Sequence, residues 1–246
     1  MTDSLISINQ RYKSSPRIDS QLVDFKLFLN DFILHGTAVN VLDTISRDFA
    51  GSEQRAYTLT GPYGSGKSTV ALFLASLLST NKAERTYATN KLEKAEGVLD
   101  DFTHRFSVKK GWQVIKHVCG LEAPANSILK SIYRAFEIDF SVEDVNGFDD
   151  DECLVEIKHT LGTTSRKIDG TLIFLDEMGK ALDYQSRNNK DLHFFQSLAD
   201  IAQQAKSSVV LVGFLHQSFS DYAKNKDAKA QKEWAKVQGR YRDLNF

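Results

Sequence analysis

Three glycines and a lysine crowd one short stretch, "TLTGPYGSGKSTVALFLASLL" (Thr58–Leu78), between two apolar runs. Gly61, Gly66, Lys67 and Ser68 fit the spacing G-x-x-x-x-G-K-[ST]. Glycines at this density let the backbone curl until successive N–H groups point inward at phosphate oxygens. The helix expected to follow adds its positive end to the same place. Lys67 then reaches the β- and γ-phosphates, and the Ser68 hydroxyl is a ligand for Mg²⁺. The loop Gly61, Pro62, Tyr63, Gly64, Ser65, Gly66, Lys67, Ser68 and Thr69 reads as the binding segment for a nucleoside triphosphate.

Binding does not imply hydrolysis, which also needs a base. "TLIFLDEMGK" is an apolar strand ending in Asp176 and Glu177. An aspartate at the carboxyl end of a buried strand can hold Mg²⁺. The adjacent Glu177 can polarise an attacking water. A nucleotide kinase has no need of the second carboxylate, so the pair favours hydrolysis. Transition-state charge on the γ-phosphoryl is often met by an arginine, in cis or from a neighbour. Arg240 and Arg242 in "QGRYRD" are the candidates, with Arg187 and Arg166 weaker; a finger in trans requires a homo-oligomer or a partner subunit.

"GPYGSGKS" together with "LIFLDE" resembles the additional-strand, catalytic-glutamate division of P-loop NTPases, and more narrowly its AAA-type and STAND-type members. The resemblance implies an extra strand between the two motif strands, which "SSVVLVGFLHQ" supplies. It also implies a γ-phosphate sensor at that strand's polar end, His216 or Gln217, where asparagine, serine or threonine is commoner. Lys67 and Asp176 are 109 residues apart, long for a compact AAA module, so an insertion is expected at about 81–110. The few residues after Gln217 are too short for the helical lid of such proteins, so the chain reads as a compact variant or, better, as one domain of a longer protein. The wording around the motifs ("RAYTLTGPYGSGKS", "FLDEMGKALDY", "EWAKVQGRYRD") is also similar to ATPase subunits of bacterial phage-defence systems.

The elements that must position these residues are apolar strands alternating with helices. That pattern predicts an α/β fold, a three-layer α/β/α P-loop NTPase with a mainly parallel sheet and an N-terminal helical segment. Strands are expected at "AYTLT", "WQVIKHVCG", "GTLIFLDEMG" and "SSVVLVGFLHQ". Two helices are expected between Gln21 and Phe49, broken at His35–Thr37, with others over Thr69–Thr80, "NSILKSIYRAFEI" (capped by Asn126 or Ser127), up to Leu161, and Asn188–Lys206. The tail places Ala223, Ala230, Trp234, Val237 and Tyr241 on one helical face. The expected division is a polar arm with helices over 1–50 and an ATPase core over 51–246.

Composition narrows the alternatives. The 246 residues carry 31 basic and 32 acidic side chains, a net charge of −1, so no global field draws nucleic acid or anionic membrane. Lys224, Lys226, Lys229, Lys232 and Lys236 could touch phosphates, but Asp221, Asp227 and Glu233 are interleaved, as on any solvated helix. Two cysteines without a CxxC, no signal-peptide layout and no long apolar run suggest a reduced, cytoplasmic chain without membrane contact. No zinc-type spacing occurs, and Mg²⁺ is the one metal implied. The absence of an LSGGQ-like signature disfavours a transporter ATPase. "NNKD" (Asn188–Asp191) misses the GTPase pattern by one place, so ATP is the better nucleotide. The reading is Mg-dependent ATP hydrolysis that assembles or remodels a partner. Its rivals are an ATP-gated oligomerisation switch, a phosphotransferase and a nucleic-acid motor.

Overall fold

A computed structural model describes residues 18–19, 24–93, 102–163, 167–188, 192–204, 208–224 and 228–246. Expectations concerning Leu22, Arg166, Asn189–Asp191, Lys226, Asp227 and the side chains of Lys229 and Ala230 fall outside these residues.

Among the described residues, five strands form one sheet in the order β2-β3-β4-β1-β5. They are β1 (Ala56–Thr60), β2 (Trp112–Val118), β3 (Gly170–Asp176), β4 (Ser208–Leu215) and β5 (Arg242–Asn245), and every neighbouring pair is parallel. The register aligns Thr60 with Leu215, and Gly213 with Leu175. The carboxyl ends of β1, β3 and β4 therefore finish along one edge, and the two motifs meet there.

Parallel strands need crossovers, and helices covering both faces make each central strand apolar on both sides. Tyr57, Leu59, Leu172, Phe174, Val210, Val212 and Phe214 face one layer. That layer holds α1 (Phe25–Asp31), α2 (Gly36–Gly51), α3 (Lys67–Leu78), α4 (Lys82–Glu93) and α5 (Phe102–Phe106). Alternate residues, Ile173, Leu175, Val209, Leu211 and Leu215, face the other. Its helices are α6 (Pro124–Ala135), α7 (Val142–Gly147), α8 (Asp150–Thr163), α9 (Met178–Arg187), α10 (His193–Gln204), α11 (Phe219–Ala223) and α12 (Ala228–Gln238). This is the three-layer α/β/α P-loop architecture expected from the alternation. No helix among the described residues is long and apolar enough to cross a membrane.

The N-terminal helices pack on the loop-bearing side. Phe32 stacks on Phe73 of α3 with ring centroids 4.3 Å apart, and Arg242 of β5 pairs with Asp48 of α2 at 2.6 Å. The break between α1 and α2 falls at Phe32–His35, and the His35 ring nitrogen accepts from Ala38 N–H as the N-cap. Within 81–110 the chain forms α4 and α5.

Two local expectations are corrected. The tail is not one continuous helix: α11 and α12 are followed by a turn at Gly239–Tyr241 and then β5. Trp234 and Val237 are buried as the helical face requires. Tyr241 instead closes the turn before β5, and its hydroxyl donates to the Phe195 carbonyl at 2.9 Å. Likewise α6 starts at Pro124, which suits a first helical position because proline lacks the N–H left unbonded there. Asn126 is thus inside the helix, its amide donating to the carbonyls of Val145 and Phe148.

Candidate active site

The phosphate-type loop leaves β1 and enters α3 with its three glycines used in two ways. Gly64 (φ +75°) and Gly66 (φ +101°) occupy the left-handed region that side chains disfavour. Gly61 is needed for space: a Cβ there would lie 2.5 Å from the carbonyl oxygen of Phe246. Gly66 is the N-cap of α3 and offers no capping side chain, whereas Asp24, Ser141 and Ser218 cap α1, α7 and α11. The first N–H groups of α3 therefore face an anion site with no side-chain competitor.

Lys67 is buried and folded back on the loop. Its ammonium donates to the carbonyls of Gly61 (2.5 Å) and Pro62 (2.8 Å) and lies 3.5 Å from Ser65 Oγ. Burial lowers its proton affinity, and the charges of Asp176 and Glu177 oppose that. Ser68 and Thr69 follow in the first turn of α3, half-buried.

Across β4, the end of β3 carries the acids. Burial, with the Glu177 charge adding, raises the Asp176 carboxyl; the Glu177 N–H, donating to Asp176 Oδ1 at 2.9 Å, works the other way. Glu177 sits at φ +55°, ψ +32°, as the N-cap of α9. A non-glycine residue in this region is strained by about 1 kcal/mol and persists where its surroundings enforce it. Here they do. Glu177 Oε2 lies 3.2 Å from His216 Nε2 and 3.4 Å from Lys180 Nζ. His216 follows β4 directly, and its ring stacks on Tyr63 of the loop with centroids 3.5 Å apart and planes at 24°. Two close approaches set this corner: Met178 packs where a Gly213 side chain would stand, and Tyr222 where one on Gly179 would.

A protein-family model described as an AAA domain matches residues 50–216, from just before β1 to His216. The chain belongs to the AAA domain family. It is accordingly a P-loop ATPase domain of AAA type, and its loop a nucleotide-binding loop. Two solved structures of the ORC2 protein of Aeropyrum pernix, one in ADPNP-ADP complexes and one in its ADP form, are similar to it. Each shares 16% identity and covers 91% of this chain, with TM-scores of 0.49 and 0.47. The chain spans about half of their length, 52%. No curated protein matches it.

In this AAA domain, Lys67, Asp176, Glu177 and His216 converge at one sheet edge. Gln217 is exposed beyond it. Arg240 and Arg242 lie elsewhere. Arg242 is in register with Tyr57, four residues before Gly61, or about 13 Å along the strand. Arg240 precedes it and pairs with Asp200 at 3.3 Å, so both stand at the edge opposite the loop. Arg187 is in the last turn of α9. Lys232 and Lys236 point outward from α12, Lys236 pairing with Glu233 at 2.7 Å.

Sequence reasoning missed Lys180, His35 and Phe246. Phe246 N–H donates to the Thr60 carbonyl at 2.7 Å, and its ring lies 3.4 Å from where a Gly66 Cβ would stand. Its other neighbour is the His35 ring, edge-on at 5.7 Å. Only Lys180 carried a signal, the i+3 spacing from Glu177 on a helix start.

Proposed function

We propose that this AAA domain hydrolyses Mg-ATP and uses the cycle to assemble or remodel a partner. The observation that carries the reading is the convergence of a buried loop lysine with two carboxylates, one of them in a strained backbone conformation beside His216. The uncapped start of α3 and the backbone of Gly61–Thr69 would receive the phosphates. Lys67 would exchange loop carbonyls for β- and γ-phosphate oxygens, whose charge restores the proton affinity that burial lowers. His35 and Phe246, beside Gly66, offer an aromatic flank to the base or ribose.

The donors fit Mg²⁺. Ser68 and Asp176 supply hard oxygens, and among the described residues no cluster of three or more His, Cys, Asp or Glu side chains gathers to hold a metal alone. A cation with one or two protein ligands that shares the phosphates is the Mg²⁺ pattern. When bound, it neutralises charge developing on the phosphoryl oxygens. Glu177 would orient a water toward the γ-phosphorus and accept its proton as the bond to the β-phosphate oxygen breaks. His216, rather than the exposed Gln217, is the better-placed sensor, because it already touches Glu177. Arg240 or Arg242 could serve a neighbouring copy only, which makes the active oligomer a requirement of that role.

The grip of His216 and Lys180 on Glu177 also suits a second reading, an ATP-gated switch with little turnover. Phosphate release from Mg-ATP by the wild type and by Glu177→Gln, over a range of protein concentrations, separates the two. Hydrolysis predicts turnover rising more than linearly with concentration and falling by about 10² or more in the variant, with ATP binding retained. ATP binding by both proteins with phosphate release by neither selects the switch.

A further inference from the structure

The Tyr63 side chain, unlike the loop backbone it stands on, has no evident part in holding phosphate or the core, yet it makes the closest ring stack in the site. It stands between Gly61 and Gly64 on the loop and remains 72% exposed, so the fold does not depend on it. One face of its ring covers His216. The orientation of a histidine is normally set by a hydrogen bond on the nitrogen opposite the working one. That device is missing here: His216 Nδ1 is buried without a hydrogen-bond partner among the described residues. Nε2 meets Glu177 Oε2, which also lies 3.4 Å from Nζ of the more exposed Lys180. The imidazole is therefore oriented by Glu177 at one nitrogen and by the Tyr63 ring across its face.

We infer that Tyr63 is a positioning residue: by stacking on His216 it fixes the imidazole that holds Glu177 Oε2, and so leaves Oε1 to the attacking water. The inference rests on reading Glu177 as the water-orienting carboxylate. Because Tyr63 belongs to the loop that wraps the phosphates, loop conformation and Glu177 orientation become one linked variable. The contacts run from loop to Tyr63, to His216, to Glu177, each in direct van der Waals or hydrogen-bond contact with the next. Loss of the stack releases the imidazole to rotate, and small misplacements of a catalytic group are costly in rate.

The test compares wild type, Tyr63→Ala and Tyr63→Phe by steady-state phosphate release and by NMR of histidine-labelled, nucleotide-free protein. Tyr63→Ala should lower kcat about tenfold while KM moves less, and Tyr63→Phe, which keeps the stacking face, should recover most of the loss. In the spectra, the His216 ring protons should sit upfield in wild type and Tyr63→Phe, under the ring current. Tyr63→Ala should lose that shift together with the protected Nε2–H signal. Melting temperatures should be unchanged. A Tyr63→Ala kcat equal to or above that of wild type, a change confined to KM, or unaltered His216 resonances overturns the inference. If no variant releases phosphate, the hydrolytic reading fails, and the His216 spectra alone decide whether Tyr63 orients the imidazole.

Discussion

At the scale of single residues, the site collects side chains whose surroundings oppose their ordinary ionisation. Lys67 is buried among carbonyls and Asp176 is desolvated, each awaiting charge of the opposite sign. His117 shows the same physics away from the site. It lies buried on β2, its Nδ1 2.8 Å from Ser131 Oγ and its Nε2 3.4 Å from Ser127 Oγ. Burial, with the Arg134 charge adding, pushes its pKa down to about 4. The folded chain therefore keeps His117 neutral while the unfolded chain takes up a proton near pH 6.5. Its contribution is complete above that pH and is lost as pH falls toward 4, about 3 kcal/mol across the window. Urea midpoints at pH 7 and pH 4.5 should show a steeper loss in the wild type than in His117→Gln; parallel losses would remove His117 as the cause.

Among elements, β5 has the most consequence for the least sequence signal. It is a four-residue edge strand with a single apolar residue, Leu244, yet it carries Phe246 against the loop. Asp243 fastens it: one carboxylate oxygen accepts from the hydroxyls of Thr58 (2.9 Å) and Thr60 (2.5 Å) on β1. Thr58 is fully buried, so Asp243→Ala strands a hydroxyl without an acceptor. The expected cost is about 2 kcal/mol in chemical denaturation, with part recovered by Asp243→Asn. Nucleotide affinity should fall in parallel, since β5 abuts Gly61. A variant as stable as wild type would show that strand pairing alone docks β5. Asn126 makes the complementary point: suited to a helix cap by type, it is used instead to join α6 to α7, because Pro124 begins the helix two residues earlier.

For the whole molecule, charge is nearly balanced, and the lysines of α12 that are described face outward, Lys236 paired with an acid. Affinity for nucleic acid scales with the number of phosphates neutralised, and a net charge of −1 gives no overall pull toward them. Anisotropy with labelled duplex and single strands at 150 mM salt should show binding no tighter than roughly micromolar, the non-specific range. Added DNA or RNA should not stimulate phosphate release. Tight binding, or stimulation, would instead support the motor reading. The two arginines at the opposite sheet edge carry a related consequence: any contribution they make to γ-phosphate chemistry comes from a second copy.

The sequence by itself determined the four apolar strands, the nucleotide loop and the acidic strand end. Each is local: a run of buried side chains, or a spacing of glycine, lysine and acid that one segment must satisfy alone. It left α9 and β5 unread. Met178, Ala181, Leu182 and Gln185 do recur at helical spacing in α9, but within a short, largely polar run directly after the acidic strand end. Arg242–Asn245 is a short, half-exposed strand with one apolar residue. β4 does lie between the two motif strands, as the resemblance implied; tertiary structure alone decided where β2 and β5 stand, and which side chains far apart in the chain meet. Tyr63 on His216, His216 on Glu177 and Phe246 on Gly61 are consequences of β4 lying between β1 and β3 and of β5 closing the edge. Parallel strands leave such pairings to the packing of the helices between them, which no local pattern encodes.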